Sequence, residues 1–539
     1  MSAPRSERRM LLYETLRVRL PLELPRYLAS QRWFGGKARQ MRSAELVDVI
    51  PLELARSEAF VLLARVEYAA GSGETYGLPV VSTEESVGRE AVSLRVSSGE
   101  SGVDLVLIDA LKNEEFLRAL LEAMENEVVL EGVKGAIRAV HTSRFEQLRS
   151  PFSSSLRPKP LEGEQSNSSI IYGDRLILKL FRRLEEGVNP DLEIGVFLTE
   201  RAQFQNIPPV AGSLEYQAAD GQPMCLGILQ RFVANQGDAW RFTLQSLKTF
   251  WQGVSKYSQG LPPKASLACD AALLGDSDPP EAAAAWVASY LDAVALLGRR
   301  TAEMHVALAS EPSDRAFAPE SYTVSFQRTV AESVRELTER NFDLLRQRVN
   351  ELPEELRSRA AEIADREGDI LGRFQSVLGA PIQAMRTRIH GDFHLGQVLY
   401  TGSDFVIIDF EGEPARPLSE RRMKRSPLQD VAGMLRSFHY AAFSSLLAPV
   451  GEGSGLPGDR AGLVRWAEGW HGWASARFLR AYLQHSEAAR YLPADRGELS
   501  RLLELHLLEK AIYELGYELN NRPGWVGIPL AGISALLRL

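Results

Sequence analysis

The chain has 539 residues, of which 45% are hydrophobic and 24% are charged, and its formal net charge is −8. This composition is ordinary for a globular protein, and the length exceeds what one compact core needs, so we expect two or three domains. The negative charge gives no electrostatic reason to expect nucleic acid, and Cys225 and Cys269 show neither metal-type spacing nor a disulfide framework. Charged residues and prolines interrupt the apolar residues 11–28, so we expect no signal peptide and no membrane span, and the cytoplasm is the predicted compartment.

The first part of the chain, residues 1–101, is predicted to be a small mixed α/β cap. A helix is expected to carry the run Arg32-Trp33-Phe34-Gly35-Gly36-Lys37, and alternating apolar runs follow at residues 59–69 and 76–81. The two aromatic residues beside two glycines could form a binding motif. An aromatic plug between the cap and the body is the favoured interpretation.

Residues 102–233 are predicted to form a small β-rich lobe. A polar turn over residues 162–169 enters the apolar run Ile170-Ile171-Tyr172, and a second run at 176–181 follows Gly173-Asp174, which is typical of a hairpin. Such a polar loop can place backbone N–H groups and the hydroxyls of Ser168 and Ser169 on phosphates. The stretch lacks a signature of several glycines, so this signal is weak by itself.

Lys179 lies in the middle of an apolar strand of this lobe. A lysine in this position either extends to water or meets anions inside the protein. A helix is predicted to begin at residues 189–193, and its Glu193 can pair with Lys179. The run at residues 224–233 reads as a buried strand that leaves the small lobe.

The remainder, residues 234–539, is predicted to be mainly helical. Residues 282–304 have an apolar pattern broad enough for a core helix, with His305 at its end as a core or cap residue. From about residue 326 to 378, apolar residues at spacings of three and four indicate amphipathic helices. We interpret the region near 310–385 as a helical insertion with no assigned role.

Two polar turns flank a short predicted hairpin and suggest phosphoryl transfer. Asp392 can accept a hydrogen bond from an alcohol and take its proton late in the reaction. Gln397 and Asp409 offer an amide and a carboxylate oxygen, which suit Mg²⁺. His390 can support the turn by hydrogen bonding, and His394 can touch the acceptor. The turns read His390-Gly391-Asp392-Phe393-His394-Leu395-Gly396-Gln397 and Asp409-Phe410-Glu411.

A basic run follows the second turn, and its side chains could clamp phosphate or hold the loop in salt bridges. The structural interpretation is slightly favoured, because acids lie close by in the sequence. Asp430 opens a predicted helix, where an acid suits the N-terminus. The basic residues are Arg416, Arg421, Arg422, Lys424 and Arg425, and the acids are Glu411, Glu413, Glu420 and Asp430.

The helix predicted at residues 507–521 places Tyr513 and Tyr517 one turn apart, and Glu514 and Glu518 likewise. Sugars need directional hydrogen bonds and an aromatic face, and Tyr517, Glu518 and Asn521 with Trp525 offer both. For any single one of these residues, a structural role is an equally favoured interpretation, either aromatic packing in the core or a surface pair such as Lys510–Glu514.

The two polar turns resemble the catalytic and metal-binding motifs of aminoglycoside phosphotransferases and their eukaryotic-kinase-like relatives. The longer stretches IHGDFHLGQVL and IIDFEGEPARPLSERRMKRSPLQDVAGMLRSFHYAA resemble bacterial maltokinases more specifically. The resemblance is tight from Arg388 to Ala442, good from Glu509 to Leu530 and recognisable at residues 32–37. Gln397 follows the maltokinases, since most related kinases have asparagine there.

The resemblance implies an α+β, bilobal, eukaryotic-protein-kinase-like fold with an N-terminal α/β cap, a β-rich small lobe and a mainly helical large lobe. It implies ATP and Mg²⁺ as cofactors, a hinge around Gln230, Phe232 and Val233 that binds adenine, and a Lys179–Glu193 pair as in protein kinases. It also favours Tyr513, Tyr517 and Glu518 as acceptor ligands, and it implies that Asp430 steadies the catalytic loop.

The predicted activity is transfer of the γ-phosphoryl group to the anomeric hydroxyl of maltose. The alternatives are a kinase of another sugar, such as glucosamine or an aminoglycoside, and a nucleotide-binding interaction module. Maltokinases are sometimes fused to trehalose synthase, which suggests association with a trehalose-metabolising enzyme. No nucleic acid or membrane partner is expected.

Overall fold

A computed structural model describes residues 5–83, 93–97, 104–149, 156–161, 167–256, 278–447, 460–486 and 490–537. Residues 162–166 of the predicted polar turn lie outside this described part, as does Cys269. The chain divides into two compact units, Met1–Ala234 and Asn235–Leu539. The first is rich in strands and the second is mainly helical, as the sequence predicts.

The first sheet of unit 1 is antiparallel and lies against helix α1. Leu16, Leu20, Leu24 and Leu28 recur every four residues on α1 and are fully buried, so one face of the helix packs on the sheet. Among the described residues the strand order is β1-β2-β3-β5-β4. The elements are α1 (Arg5–Ser30), β1 (Met41–Glu53), β2 (Glu58–Tyr68), β3 (Glu74–Thr83), β4 (Ser93–Ser97) and β5 (Asp104–Asp109).

The run Arg32–Lys37 does not lie on a helix, contrary to the prediction. Helix α1 ends before it, and the glycines open a short 3₁₀ turn, Gly35–Ala38, because glycine is a poor helix former. Phe34 is buried with its ring 5.2 Å from that of Tyr76, and Trp33 packs between Tyr76 and the guanidinium of Arg182. The aromatic pair therefore serves in packing.

The second sheet of unit 1 has the order β6-β7-β12-β13-β10-β9-β8 in the described part of the chain. β9 and β10 form the predicted hairpin, and Gly173 in its turn has a φ of 62°, which glycine adopts without strain. β11 continues from β10 and pairs with β3 of the first sheet. The elements are α2 (Glu114–Glu125), β6 (Val129–Glu131), β7 (Gly135–His141), α3 (Phe145–Arg149), β8 (Pro158–Pro160), β9 (Asn167–Tyr172), β10 (Leu176–Phe181), β11 (Arg183–Leu184), α4 (Pro190–Val196, extended by a π-helical turn Phe197–Arg201), β12 (Val210–Ala218) and β13 (Met224–Arg231).

Unit 2 consists of helices around a short antiparallel strand pair and a small hairpin. The longest described helix, α6, packs along α12. The helices are α5 (Ala239–Lys256), α6 (Glu281–Leu308), α7 (Val324–Arg348), α8 (Glu354–Ala364), α9 (Glu367–Leu378), α10 (Leu418–Arg421), α11 (Leu428–Leu447), α12 (Arg460–Ser486), α13 (Arg496–Asn521) and α14 (Gly527–Leu537). The strands are β14 (Glu320–Ser321) with β15 (Met385–Arg386), and β16 (Val398–Tyr400) with β17 (Phe405–Ile407).

Helix α6 is long and apolar enough, by length and composition, to cross a membrane. Its most apolar stretch is 39% buried, and its residues pack inside the helical unit. Core helices pass the same test, so this is weak evidence for a span. His305 near its end is fully buried, in agreement with the predicted core role.

Candidate active site

The β16–β17 hairpin brings the two polar turns to the same end, as predicted. Val398 pairs with Ile407, and the N–H of Ile408 donates to the carbonyl of Gln397 at 3.0 Å. Because Gln397 ends the first turn and Asp409 begins the second, their backbones become neighbours across the hairpin. The sequence fixes this arrangement locally, since few residues separate the two turns.

Asp430, at the start of α11, anchors the backbone of the first turn by hydrogen bonds. Its carboxylate accepts the N–H of His390 at 2.7 Å, the N–H of Gly391 at 2.9 Å and a hydrogen bond from Nε2 of His305 at 3.0 Å. Burial alone would raise the pKa of Asp430, but the hydrogen bond and charge of His305 outweigh it, so the pKa lies below its ordinary value. The predicted supporting role of this acid is confirmed.

His390 joins the two turns. Its Nε2 donates to the carbonyl of Ile408 at 2.9 Å, so its Nδ1 is the acceptor facing the N–H of Asp392, at 3.4 Å. Gly433 on α11 permits close approach of the same turn, because a Cβ there would lie 2.5 Å from the carbonyl oxygen of Phe393. The backbone around Asp392 is therefore held from several sides.

Asp409 has a φ of 70°, an uncommon conformation for a residue with a side chain. Such backbone strain concentrates at functional sites, where it fixes the direction of a side chain. A carboxylate oxygen of Asp409 lies within 4.8 Å of one of Glu411. These two hard carboxylates, with the amide of Gln397 from the neighbouring turn, are a donor set whose chemistry fits Mg²⁺. Glu411 is a candidate ligand that sequence reasoning placed in salt bridges instead.

Asp392 faces a lysine. Nζ of Lys510 on α13 lies 3.3 Å from Oδ1 of Asp392. Burial alone would lower the pKa of Lys510, but the negative charges of Asp392, Glu413 and Glu514 together outweigh it, and the pKa lies above its ordinary value. The side chain of Lys510 is therefore an ammonium ion, which orients the carboxylate and leaves its second oxygen for another partner.

That second oxygen, Oδ2, lies 3.9 Å from Nε2 of His394. The N–H of Gly396 donates to Nδ1 of His394 at 3.0 Å, so in the neutral ring Nε2 carries the proton. Burial lowers the pKa of His394, which favours this neutral form. The gap between the two groups is too long for a hydrogen bond and can admit an acceptor hydroxyl.

Asp392, His394 and Lys510 line a cavity of about 760 Å³ in unit 2. This volume is in the range of pockets for small-molecule ligands. The predicted acceptor residues Tyr513, Tyr517 and Glu518 also line it, so the structure brings the predicted acceptor residues to the predicted base. The remaining lining residues are Asp238, Trp240, Gly396, Glu413, Pro414, Ala415, Gly433, Ser437, Tyr440, Glu514, Arg522 and Trp525.

The acids from α13 in this cavity are already paired. Glu514 binds Nε and Nη2 of Arg436 at 2.8 and 2.5 Å. Glu518 binds Arg522 at 2.7 and 3.0 Å and accepts from the hydroxyl of Tyr440 at 3.1 Å. The suggested surface pair Lys510–Glu514 is therefore wrong, because each residue contacts a partner on another part of unit 2.

The other acids of the cavity wall are engaged as well. Glu413 binds Nε of Arg416 at 2.9 Å and is hydrogen-bonded to Tyr513. Burial and this contact raise the pKa of the Tyr513 hydroxyl. Asp238 accepts the N–H of Arg241 at 2.7 Å at the start of α5. Asp392 thus differs from the other acids in facing His394 across an open gap.

Aromatic side chains form one wall of the cavity. Tyr440 and Trp525 stack with ring centres 6.4 Å apart, and Arg522 lies over the rings of Tyr517 and Trp525. Tyr517 is 45% exposed and can contact a ligand. Asn521 does not line the cavity, since it is exposed and its amide donates to the carbonyl of Tyr517.

The basic run after Asp409 holds its own loop, as the structural interpretation predicted. Arg416 binds Glu413, and Lys424 binds Glu320 at 2.7 Å. Arg421 donates to the carbonyl of Glu411 at 3.3 Å. These contacts fix the loop that supplies Glu413 to the cavity.

In unit 1, Nζ of Lys179 binds Asp191 at 3.1 Å, two positions before the predicted partner Glu193. The helix begins at Asn189, whose side chain caps the N–H groups of Asp191 and Leu192. This cap places Asp191 in the first turn, where it is buried facing the strand. The additional pairing of Lys179 with Glu193 stays a prediction.

The other residues predicted to bind the nucleotide lie on β9 and around the end of β13. Ser168 accepts from Nε of Arg182 at 3.0 Å, which leaves its O–H free to donate, whereas Ser169 is buried. Gln230 pairs with Ile177 and therefore shares the face of the sheet that carries Lys179. The N–H of Phe232 donates to the carbonyl of Arg175 at 2.7 Å, so its own carbonyl is the group that adenine could use. Roles for these residues and for Val233 stay predictions.

The sequence analysis did not assign four residues to the candidate site: Lys510, Arg436, Trp240 and Glu411. Lys510 lies beside Tyr513 in the sequence, but nothing local shows that it reaches Asp392. Trp240 lies a few residues beyond the predicted hinge, and an aromatic residue at that distance was an available signal.

Two protein-family models match stretches of the chain. Residues 27–118 match the maltokinase N-terminal cap domain, and residues 158–479 match the phosphotransferase enzyme family. The chain is 25% identical over 381 residues to a glucosamine kinase of Mycolicibacterium smegmatis, covering 70% of this chain and 79% of the relative. It is 25% identical over 376 residues to a glucosamine kinase of Streptacidiphilus jiangxiensis, covering 69% and 72%.

Solved structures are also similar. A glucosamine kinase in crystal form B has a TM-score of 0.61 at 18% identity, covering 95% of this chain and 99% of that one. A glucosamine kinase in complex with glucosamine, ADP and inorganic phosphate has a TM-score of 0.60 at 18% identity, covering 95% and 98%. At this identity the likeness concerns the fold, and it confirms the predicted kinase-like fold.

Proposed function

Because the chain belongs to the phosphotransferase enzyme family, we propose that it transfers the γ-phosphoryl group of ATP to the anomeric hydroxyl of maltose, giving maltose 1-phosphate and ADP. The coarser activity, an ATP-dependent kinase of a sugar hydroxyl, follows from the family and from the relatives. The maltose assignment rests on the motifs after Arg388, the cap-domain match and the charges of the cavity.

The single observation that carries the proposal is the setting of Asp392. Lys510 holds one carboxylate oxygen, and the other faces His394 across an open gap in the wall of the cavity. A sugar hydroxyl in this gap donates to Oδ2 of Asp392 and accepts from Nε2 of His394. Asp392 then aligns the oxygen for attack and receives its proton as the phosphoryl group moves.

Gln397 and Asp409 would hold Mg²⁺, with Glu411 as a further oxygen donor. When bound, the ion neutralises the phosphate charges that oppose attack by the alcohol. The strained backbone at Asp409 directs its carboxylate, and the hairpin contacts keep Gln397 beside it. In unit 1, Lys179 held by Asp191 would bind the nucleotide phosphates, and the hinge around Gln230 to Val233 would bind adenine.

The charges of the cavity favour a neutral acceptor. Glu413, Glu514 and Glu518 each bind an arginine, and Asp238 caps a helix. An ammonium group on the sugar would need a carboxylate that is not already neutralised, and it would be repelled by the ammonium of Lys510. The stacked aromatic wall suits the C–H face of a sugar ring, and the volume admits more than one ring.

The second candidate is a glucosamine kinase, because the relatives found by sequence carry that name. It requires that an amino group bind a cavity acid that already pairs with an arginine, for example at Oε1 of Glu514, since both contacts of Arg436 are to Oε2. The paired acids and Lys510 make this the weaker candidate. A non-catalytic nucleotide-binding module is disfavoured, since Asp392, Gln397 and Asp409 are all present. Association with a trehalose-metabolising enzyme and a cytoplasmic location are further proposals that rest on the resemblance to maltokinases.

The test is an ATP-consumption assay with maltose, glucose, glucosamine and trehalose at equal concentrations, with Mg²⁺ present. We expect the highest kcat/KM with maltose, and ³¹P and ¹H NMR of the product should place the phosphate on the anomeric carbon. A higher kcat/KM with glucosamine would replace the proposal by the second candidate. Phosphate on another hydroxyl would refute the anomeric assignment.

A further inference from the structure

A second cavity, of about 420 Å³, lies in unit 1, and its lining residues differ from those of the acceptor cavity. Three arginines, Arg144, Arg175 and Arg231, line it with a single acid, Asp174. Its floor contains the apolar residues Leu148, Phe204, Pro209 and Phe232. The cavity therefore combines positive charge and some apolar residues with a volume in the range of small-molecule sites.

The cavity lies on the face of the second sheet that is opposite to Lys179. Arg231 pairs with Leu176 across β13 and β10, whereas Gln230 pairs with Ile177 and Lys179 with Ile228. Residues paired across strands share a face, and successive residues alternate between faces. Arg231 thus points to the side on which Leu176 is buried, and Lys179 and Gln230 point to the other. The second cavity therefore lies on the other side of the sheet from Lys179 and Gln230, and it shares Phe232 with the predicted hinge.

The positive charge of this cavity is poorly neutralised. Among the residues that the structure describes, the guanidinium of Arg231 has no hydrogen-bond or ion-pair partner. Arg144 donates to the neutral amide of Gln147 at 3.2 Å. Arg175 approaches Asp174 at 3.5 Å, but these side chains are 51% and 89% exposed, so water screens the pair. Three guanidinium groups that line one cavity, of which that of Arg231 has no partner among the described residues, match a phosphate group.

We propose that this cavity binds a phosphomonoester, with the phosphate on Arg144 and Arg231 and the organic part on the apolar floor. The cavity adjoins the segment that follows β13, because Arg231, Phe232 and Ala234 line it directly. Occupation therefore alters the position of the hinge and changes the affinity for nucleotide. This coupling rests on the proposed function, whereas the binding itself does not.

Isothermal titration calorimetry with glucose 1-phosphate and with inorganic phosphate, at constant ionic strength in sodium chloride, tests the binding. We expect both to bind the full chain, the ester more tightly because the apolar floor contributes. Arg231→Gln and Arg144→Gln should each weaken binding at least ~10-fold, as expected for loss of a charge-assisted hydrogen bond. Both side chains are at least partly exposed, so the melting temperature should not change.

Two controls separate this site from others. Arg183→Gln removes an exposed arginine that pairs with Glu185 outside the cavity and should leave binding within ~2-fold. Lys179→Gln should also leave ester binding intact. The proposal is overturned if neither ligand binds, or if binding is lost in Lys179→Gln and retained in Arg231→Gln, because the phosphate would then occupy the nucleotide site.

The coupling is tested by the Kd of ADP with and without saturating glucose 1-phosphate. We expect a change of ~5-fold or more in the wild type, and none in Arg231→Gln. A change of equal size in Arg231→Gln would mean direct competition and would refute the coupling. These titrations need no turnover. They would therefore show whether the second cavity binds phosphate even if the protein phosphorylated none of the sugars.

Discussion

The ammonium of Lys510 lies 3.3 Å from Oδ1 of Asp392, although the two residues are 118 positions apart in the sequence. This contact fixes one oxygen of the proposed base and directs the other into the acceptor cavity. It also places a positive charge in the cavity wall, where it would repel the ammonium group of an amino sugar. The lysine thus links the orientation of the base with the choice of a neutral acceptor.

The first prediction concerns Lys510. Lys510→Gln should lower kcat for maltose ~10-fold or more, because the carboxylate loses a charge-assisted hydrogen bond. The ratio of kcat/KM for glucosamine to that for maltose should rise, because the repulsion is removed. Steady-state kinetics with both sugars measure this, and Lys510→Arg, which keeps the charge, is the control. An unchanged ratio would separate Lys510 from acceptor selection.

The second prediction concerns the metal site. Asp409→Asn should preserve the fold, because asparagine tolerates a positive φ better than alanine does. It should remove the dependence of ADP affinity on Mg²⁺, since a neutral amide is a weaker ligand than a carboxylate. Calorimetric titration of ADP with Mg²⁺ and with EDTA measures this. Retention of the wild-type Mg²⁺ dependence would exclude Asp409 from the site.

The third prediction concerns the aromatic wall. Tyr517→Ala should raise the KM for the sugar several-fold and change the KM for ATP little, because Tyr517 lines the acceptor cavity. Asn521→Ala is the matched control, since Asn521 lies one turn further on α13 and is exposed outside the cavity. If the two variants behaved alike, or if the KM for ATP changed instead, Tyr517 would not be an acceptor contact.

The fourth prediction concerns Asp430 and pH. The pKa of Asp430 in the folded protein lies below its ordinary value of 3.8, so the unfolded chain binds its proton at higher pH than the folded one. The stabilisation is therefore present above pH 3.8 and is lost as the pH falls through the lowered pKa. Asp430→Asn should destabilise the fold by at least ~1.5–3 kcal/mol near neutral pH, because a buried charged acceptor is lost.

Chemical denaturation from pH 7 to pH 3 measures this effect. The difference in unfolding free energy between wild type and Asp430→Asn should narrow in the acid part of this range. A difference that is constant with pH would show that the charge of Asp430 contributes nothing to stability. His390 and Gly391 lose their acceptor in this variant, so turnover should fall together with stability.

The sequence predicts those parts of the site that are local in the chain. Gln397 and Asp409 flank one short hairpin, and the pattern of its strands places both at one end. The anchoring of the turn by Asp430 could also be predicted from the resemblance. Lys510, Arg436 and Glu514 could not, because their partners lie on elements far away in the sequence, and charge alone does not tell a surface pair from a buried one.

The partner of Lys179 shows a different limit. The sequence predicts a helix that begins at residues 189–193, as observed, and Asp191 and Glu193 both lie in its first turn. Residues two positions apart point to different sides of a helix, and the sequence pattern does not show which of these two acids faces the strand. In the cap, helix α1 ends at Ser30, before Trp33 and Phe34, whereas the prediction continued a helix through them.

The kinetics of Asp392→Asn test the central claim most directly, namely that this carboxylate aligns the acceptor alcohol and takes its proton. With ATP, Mg²⁺ and the preferred sugar, kcat should fall ~10²–10⁴-fold, while the melting temperature and the Kd of ADP stay close to those of the wild type. A kcat within a few-fold of the wild-type value would contradict the account, because Asp392 would then be neither the base nor the group that orients the sugar.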